Sequence, residues 1–398
     1  MSLLQRFRSF VFIMPLTLLM LTPADRCMAQ DKKADAAPDT LVLSNGDTIH
    51  GKFVGEIGGA VTFHSDPLGD LTVKWSAIKE LHAGGSFAVL NSDMKQHGKK
   101  AMANLPQGTI EATGDTVTVQ PANQAAAVPV PTKNAAVIVT AAELDKQLHH
   151  EPSFFAGWNG AATAGATLVT ATQDSYAVSG SVGLVRVVPT VSWLDSRNRT
   201  SFDFAGSFGK ITQPSFTSGG VFTPSTSTKS SILHFDAERD EYVSPRIFAL
   251  GQAAFDHNFS QDLNLQQIYG GGLGWTALKT PKQEADLKAT VQYEKQSFIT
   301  GTPSSQNLIG STFSANYLLK LKLVTYTQEV GFIPAYNNER AYSAAETNTF
   351  AFPTYKNFGF SVGTLDSYLN DPPATEPATR RNSFQFTMGL TYAFKSKY

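Results

Sequence analysis

The sequence is short of charge, of cysteine and of long apolar runs. Asp, Glu, Lys and Arg make up only 16% of its 398 residues, against the ~25% usual in soluble domains. The formal net charge is -1, so the basic surplus needed to neutralise phosphates is missing and no nucleic-acid partner is expected. The single cysteine, Cys27, excludes an intramolecular disulfide framework. Past residue 30 no apolar run approaches the ~20 residues of a membrane-spanning helix. What the chain has instead is 27 Phe, 12 Tyr and 31 Gly, with 42% hydrophobic residues overall. Few charges with many aromatics indicate a β-rich protein whose surface does not all face water.

The N-terminal segment sets the expected compartment. Arg6 and Arg8 precede an apolar run from Phe10 to Leu21, and Cys27-Met28-Ala29 supplies small residues for cleavage. Residues 1–29 are expected to be a signal peptide, with the lone cysteine leaving alongside it. Residues 30–38 are a polar tether. Residues 39–120 alternate in short runs (LVLSNGDTIHGKFV, AVTFH, LTVKW) and predict a small SH3-like β domain. Within it, Asn45-Gly46 predicts a tight hairpin turn with positive φ at both central residues. Residues 121–156 read as a Pro/Ala-rich linker with a short helix from Ala141 to His150.

From residue 157 to 398 the pattern becomes long segments of period-two alternation. Phe384, Phe386, Met388, Leu390, Tyr392 and Phe394 alternate with polar or small residues, as do Phe202 and Phe204. Strands are expected near 158–170, 175–188, 199–210, 229–241, 246–258, 264–277, 282–295, 307–319, 322–334, 341–351, 355–369 and 380–394. These are long enough to cross a bilayer as tilted strands, and their connections alternate short and long, as in outer-membrane barrels. The fold class is therefore all-β: a transmembrane antiparallel β-barrel of about 12 strands, ten or fourteen being the alternatives. Residues 189–198 break the rule, being a long connection on the short side, and 341–351 alternates poorly.

Parity assigns Asp203, Asp236, Glu238, Asp240, Glu284, Asp286, Lys288, Glu294 and Glu329 to the lumen. It assigns Phe202, Phe204, Phe384, Phe386, Leu390, Tyr392 and Phe394 to lipid. Trp158 and Trp275 fall near strand ends, where interface aromatics belong.

Several ordered segments carry a family resemblance. They are Gly157-Trp158-Asn159-Gly160, RTSFDFAGSFGKI, SPRIFALGQAAFDHNFSQDLNLQQIYGGGLGW, TPKQEADL and the closing FTMGLTYAF, with LSNGDTIHG and VKWSAIKEL upstream. In this order they resemble the bacterial salt-induced (YdiY-like) outer membrane proteins. Two departures stand out: Val169-Thr170-Ala171-Thr172 where that family has a Gly-Asn pair, and Lys395-Ser396-Lys397-Tyr398 beyond its usual terminal aromatic. The resemblance implies a bacterial outer-membrane barrel, while an even strand count with short periplasmic turns places both ends, and so the N-terminal domain, in the periplasm; outer-membrane lipid and the barrel assembly machinery are the expected partners. The family's name implies a link to salt or osmotic stress, and the family has no agreed activity.

Candidate chemistry is sparse. Gly359-Phe360-Ser361-Val362-Gly363 spells a nucleophile elbow, but inside strand alternation rather than at a strand-to-helix turn. His257-Asn258-Phe259-Ser260 would serve a rim-located lipase only with a nucleophile within hydrogen-bond reach of the imidazole. His149-His150-Glu151 lacks metal-ligand spacing, and Gly270-Gly271-Gly272-Leu273-Gly274 precedes no helix that could cradle phosphate. No catalytic, cofactor or metal site is expected, and the chain is not expected to be an enzyme. The leading expectation is a narrow channel for small solutes or cations. The alternative is a structural protein whose barrel anchors a module that binds a periplasmic or envelope partner.

Overall fold

A computed structural model of the chain describes residues 38–91, 105–123, 126–170, 174–218, 221–300, 303–372 and 381–396. The expected signal peptide and the tether through residue 37 lie outside them. The N-terminal unit is an antiparallel sheet of β1 (Asp39–Leu43), β2 (Thr48–Ile57), β3 (Ala60–Ser65), β4 (Gly69–Lys74), β5 (Ile78–Asn91), β6 (Gln107–Thr113), β7 (Thr116–Gln120), β8 (Val128–Pro131) and β9 (Ala135–Thr140). The order is β4-β3-β2-β1-β5-β6-β7-β8, and β9 pairs with both β2 and β5. Alternate residues supply its core: Leu41, Phe53, Val61, Phe63, Leu81, Ile110 and Ile138 are fully buried, because the curled sheet hides one face of each strand.

Two expectations for this unit need correction. Residues 121–139 are not a linker, since β8 and β9 lie there and Val137, Ile138 and Val139 are buried in the sheet. The Pro and Ala content hid a strand whose apolar run, AAVIVT, is buried. The Asn45 turn joins β1 to β2 as expected, but only Gly46 takes a positive φ, +93°. The Leu43 N–H donates to Asp47 O at 2.8 Å, and the Gly46 N–H donates to Leu43 O at 2.9 Å. This is a three-residue loop with glycine in the left-handed position. Asn45 stays right-handed and accepts the Asp47 N–H on Oδ1 at 3.1 Å.

Helix α1 (Ala141–His149) starts on a capping signal, with the Thr140 hydroxyl accepting the Glu143 N–H at 3.1 Å. Its apolar face puts Leu144 and Leu148 against Ala88, Leu90, Val137 and Val139. Its C-terminus is held from the barrel: Arg197 donates to the carbonyls of Gln147 (3.0 Å) and Leu148 (2.7 Å). Val191, Trp193 and Leu194 complete the same cluster. The over-long connection at 189–197 is thus the socket for the N-terminal unit.

The barrel comprises β10 (Trp158–Thr170), β11 (Asp174–Val188), β12 (Asn198–Gln213), β15 (Thr226–Tyr242), β16 (Ile247–Asn258), β17 (Leu263–Lys279), β18 (Gln283–Phe298), β19 (Ser305–Lys320), β20 (Thr325–Pro334), β21 (Tyr342–Tyr355), β22 (Phe358–Leu369) and β23 (Asn382–Phe394). These twelve close through β10–β23 pairing, Gly160 opposite Phe394 and Ala164 opposite Leu390. The loop hairpin β13 (Phe216–Ser218) and β14 (Val221–Thr223) stands off it. Tight turns such as 280–282 and 356–357 share one end with the N-terminal unit and the 189–197 connection, and the other long connections share the opposite end.

Glu56 in β2 is 1% exposed. One carboxylate oxygen accepts the Gly59 N–H at 2.6 Å and the other has no hydrogen-bond partner. Burial holds its pKa above the usual carboxylate range, with the Gly59 N–H opposing the shift. The folded state then binds more protons than the unfolded one, so stability falls as pH rises above the ordinary ~4.3. Glu56→Gln is expected to raise the melting temperature of the N-terminal unit near about pH 7 and to leave it unchanged near about pH 3.5. Near-ultraviolet circular dichroism of the detergent-solubilised protein checks this.

Candidate functional site

The inner face of the barrel is identified by contacts that span several strands. Arg199 of β12 reaches β18, four strands away, which only the interior permits. Its Nε donates to Asp240 at 2.7 Å, Nη2 to Asp286 at 2.7 Å and Nη1 to Glu284 at 3.1 Å. The guanidinium lies 5.4 Å from the centroid of the Phe248 ring. Lys288 Nζ donates to both oxygens of Glu238, at 2.6 and 2.7 Å, both side chains being nearly buried. His234 Nδ1 lies 2.5 Å from an oxygen of Asp256. Glu294 accepts from Gln266 and Gln296.

Glycines of β17 make these contacts reachable. Gly270, Gly272 and Gly274 all face inward, opposite Gln252, Leu250 and Phe248 of β16. A Cβ on Gly274 would stand 2.2 Å from the Phe248 ring, and one on Gly272 would stand 2.0 Å from the Ala289 carbonyl. Without side chains in that column, β16 and β18 touch over β17, as where Gln252 approaches Thr290 and Gln292.

The inner wall is two-sided. On β22, β23, β10 and β11 it is small and neutral: Ser361 and Gly363, Thr387 and Thr391, Ala161 and Thr163, Ser179 and Ser181 share the inward register. On β12, β15, β18 and β20 it is acidic. All nine residues that parity assigned to the lumen sit on this inward face. Asp203 lies opposite Asp236, the register of Glu238 leads to Gln252, and Glu329 lies opposite Asn316.

Asp203, Asp236 and Glu329 have neither hydrogen bond nor ion pair among the described residues, unlike the other carboxylates of this wall. Glu329 stands on the far side of the barrel from both aspartates, β20 lying five strands from β15 and six from β12. At the long-loop end, Gln261 between β16 and β17 crosses to the carbonyls of Arg381 (3.1 Å) and Ser367 (3.4 Å), narrowing that mouth.

The outward register holds Phe202, Phe204, Phe384, Phe386, Leu390, Tyr392 and Phe394. Leu390 is 72% exposed and Phe384 63%, so the apolar belt is real surface. Trp158 packs on Phe202 and Phe154, with centroids 5.2 and 5.9 Å apart, and Trp275 is exposed on the same belt.

The other motifs separate. Ser361 lies in β22, held by the hydroxyls of Thr391 (2.9 Å) and Thr163 (3.5 Å) rather than by an imidazole. His257 bonds Ser231 Oγ and the Asn264 carbonyl, both at 2.8 Å, tying three strands on the outer face. His149 lies 2.8 Å from Asp145 on the surface of α1. Sequence reasoning missed Arg199, His234 and Asp256. Arg199 shares the parity of Asp203, and His234 that of Asp236, so the alternation already held them. Asp256 shares its face with Phe248 and Leu250, which make the inward side of β16 look apolar.

A family model described as a protein of unknown function, DUF481, matches residues 162–394. No curated protein matches the chain. An outer membrane channel from Pseudomonas putida F1 is similar over 61% of this chain and 99% of its own, at 12% identity and a TM-score of 0.34. OprB from Pseudomonas putida, in a low-pH structure, is similar over 60% of this chain and 93% of its own, at 9% identity and a TM-score of 0.24. Neither likeness carries an argument about what this chain does.

Lys288→Ala would strand the Glu238 carboxylate in a nearly buried position. A loss of about 3–5 kcal/mol is expected, read as a lower temperature for the folded-to-unfolded band shift in gel electrophoresis. Glu238→Gln with Lys288→Met is expected to recover most of it, because no uncompensated charge remains.

Proposed function

We propose a function for a chain that belongs to the family of proteins of unknown function, DUF481: an outer-membrane β-barrel that passes small cations through a narrow interior. The observation that carries it is the trio Asp203, Asp236 and Glu329, unpaired across an interior whose other acids are neutralised or hydrogen-bonded. Carboxylates facing each other in a narrow, partly desolvated path replace part of a cation's hydration and repel anions. Twelve strands stand between eight-stranded barrels filled by side chains and 16–18-stranded open porins. The small wall of β22, β23, β10 and β11 leaves room along one side of the path.

Membrane placement is supported by the apolar belt, which in water would be an aggregating surface and in a bilayer is the lipid-facing band. Aromatics mark both margins: Trp158 and Tyr392 at the short-turn end, Tyr342 and Tyr368 at the other. The short turns then face the periplasm, and with them the N-terminal unit. A second reading, in which the barrel anchors a periplasmic binding module, is favoured by β4, which among the described residues pairs with β3 alone and leaves its other edge free.

The full protein is expected to fold and become heat-modifiable only with lipid or detergent; a folded, monodisperse state in detergent-free buffer overturns the membrane reading. In a planar bilayer under a salt gradient, a small conductance with roughly threefold cation preference is expected. Asp203→Asn, Asp236→Asn and Glu329→Gln together are expected to bring the reversal potential close to zero. Anion selectivity overturns the role of the trio, and absence of conductance overturns the channel.

A further inference from the structure

The short-turn half of the outer face is not a smooth belt. A groove of about 770 Å³ runs between Trp275 and Leu287 on one side and Phe313 and Phe332 on the other. Its floor is Ala289 and Ala315, where methyl groups stand in place of the large side chains around them. Register explains the shape: Ala289 lies opposite Phe313 and Leu287 opposite Ala315, so the two alanines are diagonal neighbours on β18 and β19. The outward side chains that line it are apolar, and Leu273, Leu287 and Phe313 are 46–63% exposed; Glu346, opposite Val330 on β21, and Gln328 bound the far edge.

The strands that form the groove return through turns that carry only positive charge. Arg246 precedes β16, Lys279 and Lys282 flank the β17–β18 turn, and Lys320 and Lys322 lie at the β19–β20 turn. All five are exposed and make no ion pair among the described residues. The acids near that end are committed elsewhere: Glu241 pairs with Arg239 at 2.6 Å and Glu284 with Arg199 at 3.1 Å. Lys282 is five residues before Leu287, roughly 16 Å along a strand and less along the barrel axis once the strand is tilted. One leaflet of a ~30 Å hydrocarbon core is about 15 Å deep. The groove therefore falls within the acyl layer of the leaflet whose headgroups meet these turns.

We propose that this face is a binding site for an anionic phospholipid of the periplasmic leaflet, with one acyl chain in the groove and the phosphate against the basic turns. The proposal rests on the membrane-spanning reading and is independent of conduction. An apolar hollow open to hydrocarbon suits an acyl chain, and exposed cations on the turns beyond it sort for negative charge on the headgroup.

The test uses the full chain carrying Trp158→Phe, which leaves Trp275 as the tryptophan of the outer face. It is inserted into phosphatidylcholine vesicles containing graded fractions of brominated phosphatidylglycerol or brominated phosphatidylcholine. At equal mole fraction, the brominated anionic lipid is expected to quench Trp275 roughly threefold more strongly. Replacing Lys279, Lys282, Lys320 and Lys322 with Gln is expected to remove the excess, and so is Ala289→Phe with Ala315→Phe, which fills the groove. Equal quenching by both lipids overturns the site, as does an excess that survives either set of substitutions. Insertion is scored separately by heat modifiability: failure to insert overturns the membrane reading, whereas insertion with equal quenching overturns the lipid site alone.

Discussion

Closure of the sheet between β10 and β23 is the constraint on which the rest of the barrel depends. A sheet with edges leaves rows of N–H and C=O groups unpaired, which a bilayer does not tolerate. Once Gly160 to Ala164 pair with Phe394 to Leu390, every strand has two neighbours and each residue must face in or out. That single choice, repeated with period two, generates both the apolar belt and the polar interior. A slip of one residue in any strand would exchange the two faces along its length.

The interior solves the problem that this choice creates. Carboxylates confined inside a barrel are costly unless they are paired or wet. Arg199 gathers Asp240, Glu284 and Asp286, and Lys288 takes both oxygens of Glu238. These pairs need β15 and β18 to approach, and they do so because β17 offers Gly270, Gly272 and Gly274 where side chains would otherwise intervene. The glycine run, the buried cations and the free trio are parts of one arrangement: close packing on one side leaves the remaining acids facing the open side.

The N-terminal unit is joined to the barrel by the same economy of exceptions. The connection 189–197 is long for its end of the barrel because Val191, Trp193 and Leu194 are core residues of the contact with α1. The segment at 128–140 continues the N-terminal sheet and leads through α1 to this socket, so it docks at the rim rather than acting as a free tether.

From the sequence alone came the barrel class, the approximate bounds of the strands and the faces of the strongly alternating ones, because alternation such as Phe384 to Phe394 permits one register against a membrane; twelve rather than ten or fourteen strands was decided by closure. The sequence also held Arg199 and His234, in phase with acids already placed on the inward face. It did not determine who pairs with whom. The partners of Arg199 lie on strands whose proximity depends on barrel curvature, and no local pattern encodes a contact across four strands. Nor did it separate the free Asp203, Asp236 and Glu329 from the neutralised acids, since all share one parity. The buried β9 was hidden by its linker-like composition, and the apolar groove by the ordinariness of Ala289 and Ala315. In each case the deciding quantity is distance between strands remote in sequence, which only the closed tertiary structure supplies.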